Sequence, residues 1–205
     1  MDTIWFVVLA IVLAGGSIAI GIIRNRRFQQ KEALHSKLAA NLGLDLAYAS
    51  DQDYSLFGKY REYSLRIEPI NLAAPGAKTP AWYTKGSIPM VNPVRKMIRI
   101  ARRNDSFPEL EKLVQVGAIS SMQHDLEPWL DIQSNDLMFA SIILTENTKI
   151  STHKAFRNLN AGLVYIEDEE LSFVMPGLLT DEKHLESVVL GMELLCDIKD
   201  ELNAG

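Results

Sequence analysis

The chain has 205 residues, and its 26 Asp and Glu outnumber its 21 Lys and Arg, which gives a formal net charge of −5. A hydrophobic fraction of 47% and a charged fraction of 23% are typical of globular proteins and exclude a disordered, low-complexity chain. The acidic balance argues against nucleic-acid binding, which needs a basic domain, and the single cysteine, Cys196, excludes an intrachain disulfide.

An apolar stretch near the start of the chain, Ile4 to Ile23, contains twenty residues and no charge. A helix of about 20 apolar residues spans the roughly 30 Å hydrocarbon core of a bilayer, so the stretch predicts a single transmembrane helix. Gly15, Gly16 and Gly21 give this helix a small-residue surface, where we expect a second membrane helix to pack.

The charges around the stretch predict its orientation. Arg24, Arg26 and Arg27 follow it, whereas only Asp2 precedes it. A cleaved signal peptide has the reverse order, with basic residues before a shorter apolar core. The positive-inside rule then predicts a bacterial inner-membrane protein with its N-terminus outside and its C-terminal domain in the cytoplasm. We therefore expect three parts: a membrane anchor with a basic flank (1–27), a membrane-proximal helix (28–50) and a cytoplasmic α+β domain (51–205).

The rest of the charge is divided unevenly along the chain. Residues 1–103 hold 15 basic and 7 acidic residues, a net of +8, whereas residues 104–205 hold 6 and 19, a net of −13. An anionic cytoplasmic leaflet attracts a basic segment and repels an acidic one. The asymmetry agrees with a membrane-proximal first half and a distal second half.

Hydrophobic periodicity predicts an α+β domain. Apolar residues alternate with polar ones after Arg61-Glu62, and Ile98 and Ile100 alternate against Arg99, which is the period of half-buried strands. We expect Asp131 to Asp136 to form a polar turn before an apolar strand, Leu137 to Thr145. The predicted strands are 54–60, 63–70, 81–90, 96–103, 137–145, 162–167 and 171–175, and the short predicted helices are 109–116 and 152–159.

The last helix has the clearest pattern in the domain. Thr180 is a suitable N-cap, and apolar residues recur at helical spacing from Leu185 to Ile198. Cys196 falls on this apolar stripe, so we expect a buried hydrophobe rather than a reactive thiol. His35 is expected to be a solvated helix residue. A mostly antiparallel sheet of six or seven strands, packed by this C-terminal amphipathic helix, would resemble a pleckstrin-homology-like module.

Two segments carry a resemblance to a known pattern. They are Leu56 to Tyr63 (LFGKYREY) and Asp131 to Asp136 (DIQSND), the latter followed by Phe139. Together they resemble a family of uncharacterised bacterial single-pass membrane-anchored proteins, with Asn135 at a position where the family pattern has glycine. The resemblance implies a membrane-anchored domain and no particular activity.

Catalytic and metal-binding patterns are sparse. His124, Asp125 and Glu127 are close in sequence, but no second histidine follows at metal-ligand spacing. A solvated loop is the favoured interpretation, and a hydrolase is the alternative if His124 meets His153 or His184. We expect no enzymatic activity, no metal and no cofactor.

Basic residues cluster in a second place, and this cluster is the main candidate binding site. A lysine or arginine near an anionic membrane surface contributes about 1 kcal/mol to binding, so the cluster could contact lipid headgroups together with the basic flank. An acidic partner and an ordinary solvated strand face are the alternatives. The candidate residues are Arg24, Arg26, Arg27, Arg95, Lys96, Arg99, Arg102 and Arg103.

The sequence therefore favours a non-enzymatic accessory, scaffold or assembly protein of an inner-membrane complex. We expect its partner to be another membrane protein or a second copy of the chain. The alternative function is an anionic-lipid or ligand-sensing module that uses the basic cluster at residues 95–103.

Overall fold

The computed structural model describes residues 2–50, 53–91, 95–103, 110, 120–121, 129–158, 162–167 and 169–204. The side chains of residues 2–19, 48–50, 53, 120–121 and 158 lie outside this description. The helices are α1 (Asp2–Leu42), α2 (Leu137–Ile143), α3 (Glu146–Asn158) and α4 (Glu182–Ala204). The strands are β1 (Leu44–Ser50), β2 (Asp53–Tyr60), β3 (Tyr63–Asn71), β4 (Trp82–Pro89), β5 (Ile98–Arg102), β6 (Ser120–Ser121), β7 (Leu130–Ser134), β8 (Leu163–Glu167) and β9 (Glu170–Pro176).

The strands of the described residues form one nine-stranded sheet in the order β1-β2-β3-β4-β9-β8-β5-β7-β6. Every described pairing is antiparallel. The predicted α+β class, with an antiparallel sheet and a C-terminal helix, is confirmed. The sheet is larger than the six or seven strands expected for a pleckstrin-homology-like module, and α2 and α3 accompany the terminal helix.

The main core lies between the helices and one face of the sheet. Leu38, Ile100 and Phe156 are buried there together with the apolar face of α4. Within α4, Cys196 is fully buried, and burial raises the pKa of its thiol to about 12, so the predicted buried hydrophobe is confirmed. A smaller cluster, which includes Tyr83 and Tyr165, covers part of the other sheet face.

Helix α1 runs without a break from Asp2 to Leu42 and ends at Gly43, whose φ of +62° suits a glycine that stops a helix. Among the described residues, no helix combines enough length with enough apolar character to cross a membrane. The side chains of residues 4–19, most of the predicted anchor, lie outside the described residues. The structure does not show α1 to be transmembrane, so the anchor stays a prediction.

Two sequence predictions around Asp136 are wrong. Residues 131–136 were expected to form a turn, but Leu130–Ser134 is β7, with Ile132 buried. Residues 137–145 were expected to form a strand, but Leu137–Ile143 is α2. The Asp136 side chain caps this helix by accepting a hydrogen bond from the Phe139 amide at 3.0 Å. Hydrophobic periodicity cannot distinguish a strand from a helix in a short apolar run, and here the Asp136 cap favours the helix.

Other boundaries also differ from the predictions. The predicted membrane-proximal helix 28–50 ends at Leu42, and its last third is β1. The predicted strand 63–70 is β3, and Pro69 lies within it and pairs with Thr84. The described pairing of β3 with β2 stops at Ile67, so β3 is locally an edge there and tolerates a missing amide hydrogen. Helix α4 is capped by Asp181, which accepts from the His184 amide at 2.8 Å, and not by Thr180.

Candidate functional site

The second half of α1 is built into the domain core. Leu38 and Leu42 are almost fully buried, and Leu34 packs partly against them, as their four-residue spacing predicts. His35 was expected to be solvated, but it is only 6% exposed. Its ring lies 4.8 Å from the ring of Tyr54, and its Nδ1 is 2.8 Å from the Lys31 carbonyl oxygen. The position i+3 from His35 is Leu38, so the histidine shares the buried face.

The preceding turns of α1 leave the domain and change character abruptly. Ile20, Ile22 and Ile23 are 68%, 52% and 53% exposed, although they are large and apolar. The next residues on the helix are exposed and basic: Arg24, Arg26 and Arg27. An open groove of about 700 Å³ runs along this stretch, and its lining residues in the described part of the chain belong to α1, so it is a helix surface rather than an enclosed ligand pocket.

The strand register defines two ends of the sheet. Phe28, Lys31 and His35 of α1 lie at the start of β2, and α1 joins β1 beside the end of β2, so α1 leaves past the start of β2. We call this the exit end. It holds the residue pairs Asn71–Trp82 and Tyr83–Pro176. The opposite end holds the pairs Tyr60–Tyr63 and Pro89–Glu170.

Some of the acidic side chains at the opposite end are tied into the fold. Arg61 donates to Asp197 at 2.7 Å and to Asp200 at 2.9 Å, which joins the β2–β3 turn to α4. Tyr63 donates to Asp200 at 2.5 Å, and this hydrogen bond is the main reason for the raised pKa of Tyr63. The acidic residues at this end include Glu62, Glu169, Glu170, Asp197 and Asp200.

The pair of Lys85 and Glu170, 2.5 Å apart, lies on the sheet face away from the helices. Burial alone would raise the pKa of Glu170, but the hydrogen bonds from Lys85 and Ser87 and the positive charge of Lys85 act in the other direction, and the pKa is lowered. Burial likewise opposes the charge of Lys85, and the hydrogen bond to Glu170 raises its pKa in spite of burial. This pair therefore stabilises the sheet.

The predicted basic cluster at residues 95–103 does not form one surface. Arg99 faces away from the helices, where it pairs with Asp131 at 3.2 Å. Arg102 faces the helices, with its guanidinium 5.3 Å from the centre of the Trp129 ring. Neighbouring residues of a strand point to opposite sheet faces, and the odd and even positions of β5 therefore separate these cations.

The ends of that segment also diverge. Ile98 pairs with Ile166 and Ala101 with Leu163, so Arg103 lies towards the exit end, whereas Lys96 lies towards the opposite end. Lys96 pairs with Asp136 at 3.2 Å, and Arg95 is exposed with a φ of +47°. Five strand steps, about 24 Å at the usual spacing, separate β5 from β2, which packs against α1. The structure does not bring the segment together with the flank Arg24, Arg26 and Arg27.

Helix α2 presents an apolar face that the sequence reasoning missed. Leu137, Met138 and Ile142 are 49%, 74% and 38% exposed, and Phe139, Ala140 and Ile143 of the same helix are buried. An exposed apolar helix face is typical of a protein interaction site. The sequence signal was the segment from Leu137 to Ile143, in which Ser141 is the single polar residue, so that it holds more apolar residues than one buried face of a short helix can take.

Within the described part of the chain, no group of three or more His, Cys, Asp or Glu is arranged to hold a metal ion. His153 lies beside the Trp129 ring, and the Nε2 of His184 is 3.0 Å from the Pro176 carbonyl oxygen, so their surroundings differ. His124, Asp125 and Glu127 lie outside the described residues. So do the predicted helix 109–116, apart from Leu110, and the surroundings of Gly15 and Gly16. A Cβ added to Gly21 would meet no described atom within 4 Å.

Comparison with known proteins gives a likeness of fold. No protein-family model matches the sequence, and no curated protein matches it. The crystal structure of the mycobacterial trehalose monomycolate transport factor A, TtfA, is similar over 86% of this chain and 93% of that chain. The TM-score is 0.53 and the sequence identity is 13%, so the likeness concerns the fold alone.

Proposed function

We propose that the protein is a non-enzymatic, membrane-associated accessory protein that binds a component of a membrane complex. The observation that carries the proposal is the course of α1. One continuous helix contains an uncharged stretch of twenty residues that ends in exposed isoleucines, continues through exposed arginines, and ends in the domain core. Exposed isoleucine is unfavourable in water and favourable in a bilayer, and the arginines that follow are suited to its headgroups.

The helix would hold the domain at a fixed distance from the bilayer. Each buried leucine side chain stabilises the folded state by about 1.5–3 kcal/mol, and α1 contributes Leu38 and Leu42 to the core. The helix rises about 1.5 Å per residue, so Leu38 lies roughly 27 Å from Ile20 along the axis. Because no loop interrupts this distance, the anchor and domain would move as one body.

The charges support the proposed orientation in a bacterial inner membrane. The flank Arg24, Arg26 and Arg27 would lie at the cytoplasmic surface, with the N-terminus outside. The exposed acidic residues Glu62, Glu169 and Asp200 of the opposite end would then lie far from the anionic leaflet, which repels them.

The exposed face of α2 supports a protein partner. Leu137, Met138 and Ile142 form a surface of the kind that the core of a protein interface buries. The small-residue positions Gly15, Gly16 and Gly21 would provide a second contact, within the membrane, to the same partner or to another copy. The likeness of fold to TtfA adds that this fold occurs in a transport factor, so a transport complex is one suitable partner.

Alkaline carbonate extraction of native membranes tests the membrane association. We expect the full-length chain to stay in the membrane pellet. The double variant Val12→Arg, Leu13→Arg should appear in the supernatant, because each arginine at the centre of an apolar helix costs about 2.5–3.5 kcal/mol on the insertion scale. The control variant Gln29→Arg, Gln30→Arg adds the same charge to exposed positions outside the stretch and should stay in the pellet. Release of the unmodified chain by carbonate would contradict the proposal.

A further inference from the structure

The loop between β3 and β4, residues 72–81, projects from the exit end of the sheet. Its base is closed by a hydrogen bond from the Leu72 amide to the Ala81 carbonyl at 2.9 Å. The Asn71 side chain accepts from the Ala73 and Ala81 amides at 3.0 and 3.1 Å. The loop therefore has a defined base at the exit end of the sheet.

The two strands that carry the loop pass beside the departing helix. Lys31 of α1 lines the same small cavity as Pro69 of β3 and Thr84 of β4. From that level, α1 rises about 10 Å to Arg24, at 1.5 Å per residue. Strand β3 rises about 7 Å from Pro69 to Asn71, the residue directly before the loop. At similar distances from this cavity, α1 therefore reaches the end of its apolar stretch at Arg24 and β3 reaches the start of the loop.

The composition of the loop suits a membrane surface. Its sequence is LAAPGAKTPA, in which Lys78 is the single charged residue, and residues 74–80 are exposed. Trp82, which follows directly, is 37% exposed, and tryptophan is enriched at the bilayer interface. Leu72 and Ala81 pack against the cluster that contains Tyr83, so the base of the loop is supported from the sheet.

We propose that the β3–β4 loop, with Lys78 and Trp82, is a second contact of the domain with an anionic bilayer surface. This inference rests on the proposed membrane association and adds the face that the domain turns towards the lipid. The loop and α1 would contact the bilayer at neighbouring points, which fixes the domain in rotation as well as in height.

Depth-dependent fluorescence quenching tests the inference on the full-length chain. Thr79→Cys places a thiol in the exposed loop, and Lys59→Cys places one at an exposed position towards the opposite end. Cys196 is buried, with a pKa raised to about 12, so it should not react while the protein is folded, and the unmodified chain controls for this. Each variant is labelled with an environment-sensitive fluorophore and reconstituted in phosphatidylglycerol and phosphatidylethanolamine vesicles with or without a shallow spin-labelled lipid.

We expect a blue-shifted emission and a loss of fluorescence for the probe at position 79, and neither change for the probe at position 59. Adding Lys78→Glu should reduce the quenching at position 79, whereas adding Lys59→Glu should not. Equal, weak quenching at both positions in protein that remains in the vesicles would overturn the inference and leave the proposed membrane association intact. Failure of the unmodified chain to enter vesicles would contradict the proposed function itself.

Discussion

The two ends of the sheet carry charge in different ways. At the opposite end, charged groups are paired within the fold: Arg61 joins Asp197 and Asp200, and Lys85 joins Glu170. At the exit end, Arg24, Arg26 and Arg27 are exposed on a helix that projects from the domain. The difference indicates that the first set of charges maintains the structure, whereas the second set is available to the surroundings.

The largest effect on stability should come from the part of α1 that is buried in the domain core. Leu38→Ala removes a side chain that is 1% exposed and should lower the free energy of unfolding by about 2–5 kcal/mol. Ile22→Ala, on the exposed part of the same helix, should change it by less than about 0.5 kcal/mol. Urea denaturation of the full chain in detergent measures both. Similar losses of stability for the two variants would contradict the division of α1 into a buried part and an exposed part.

A smaller effect should come from the turn at the opposite end. Arg61→Ala removes both ion pairs to α4 and should lower the free energy of unfolding by about 1 kcal/mol in the same urea measurement, because partly exposed pairs contribute only about 0.2–1 kcal/mol each.

Glu62, in the same turn, has a φ of +70°, a left-handed conformation that costs a non-glycine residue about 1–2 kcal/mol. Glu62→Gly should therefore be neutral or slightly stabilising in the same urea measurement. Destabilisation by Glu62→Gly would indicate that the Glu62 side chain, rather than the backbone, maintains the turn.

The pH dependence of stability should report on Lys85 and Glu170. The folded-state pKa of Glu170 is lowered, so its contribution is complete above its unfolded pKa of about 4.3 and is lost as the pH falls through the folded value. Glu170→Gln should flatten the decline of the urea midpoint in this acid range. The neighbouring exposed variant Glu169→Gln should keep the decline. An unchanged slope in Glu170→Gln would exclude the pair as a source of acid sensitivity.

The effect on stability should be small at each position of the basic flank. Replacing Arg24, Arg26 and Arg27 by Glu should shift the free energy of unfolding by less than about 0.5 kcal/mol for each exposed position. The same triple variant should disturb the orientation of the chain in the membrane, which a topology reporter fused to the C-terminus measures. A large loss of stability with unchanged topology would show that the flank maintains the fold and does not orient the chain in the membrane.

The sequence predicts those elements whose apolar residues repeat with a clear period. The alternation around Ile98 and Ile100 predicts β5, and the stripe from Leu185 to Ile198 predicts α4, because each has one buried face. The run from Leu137 to Ile143 has no alternation, and Asp136 turns it into a helix. Burial of His35 depends on Tyr54, nineteen positions away in the chain, which no local pattern shows.

Local sequence patterns are limited in the same way for the candidate site. Arg95 to Arg103 is one basic cluster in sequence, but strand alternation and direction distribute it over two faces and two ends of the sheet. The exposed apolar face of α2 exists because residues 137–143 are helical, and the sequence pattern does not show this. The transition from Ile23 to Arg24 is local, and for this reason the sequence locates it without the fold.

Co-purification from the native membrane tests the central claim most directly. The tagged full-length chain is extracted with a mild detergent, together with Met138→Asp on the exposed face of α2 and Ile150→Asp, an exposed apolar position on α3, as the matched control. We expect a stoichiometric membrane protein to co-purify with the unmodified chain and with Ile150→Asp, and to be lost with Met138→Asp. A chain that purifies without any stoichiometric membrane partner would contradict the accessory role.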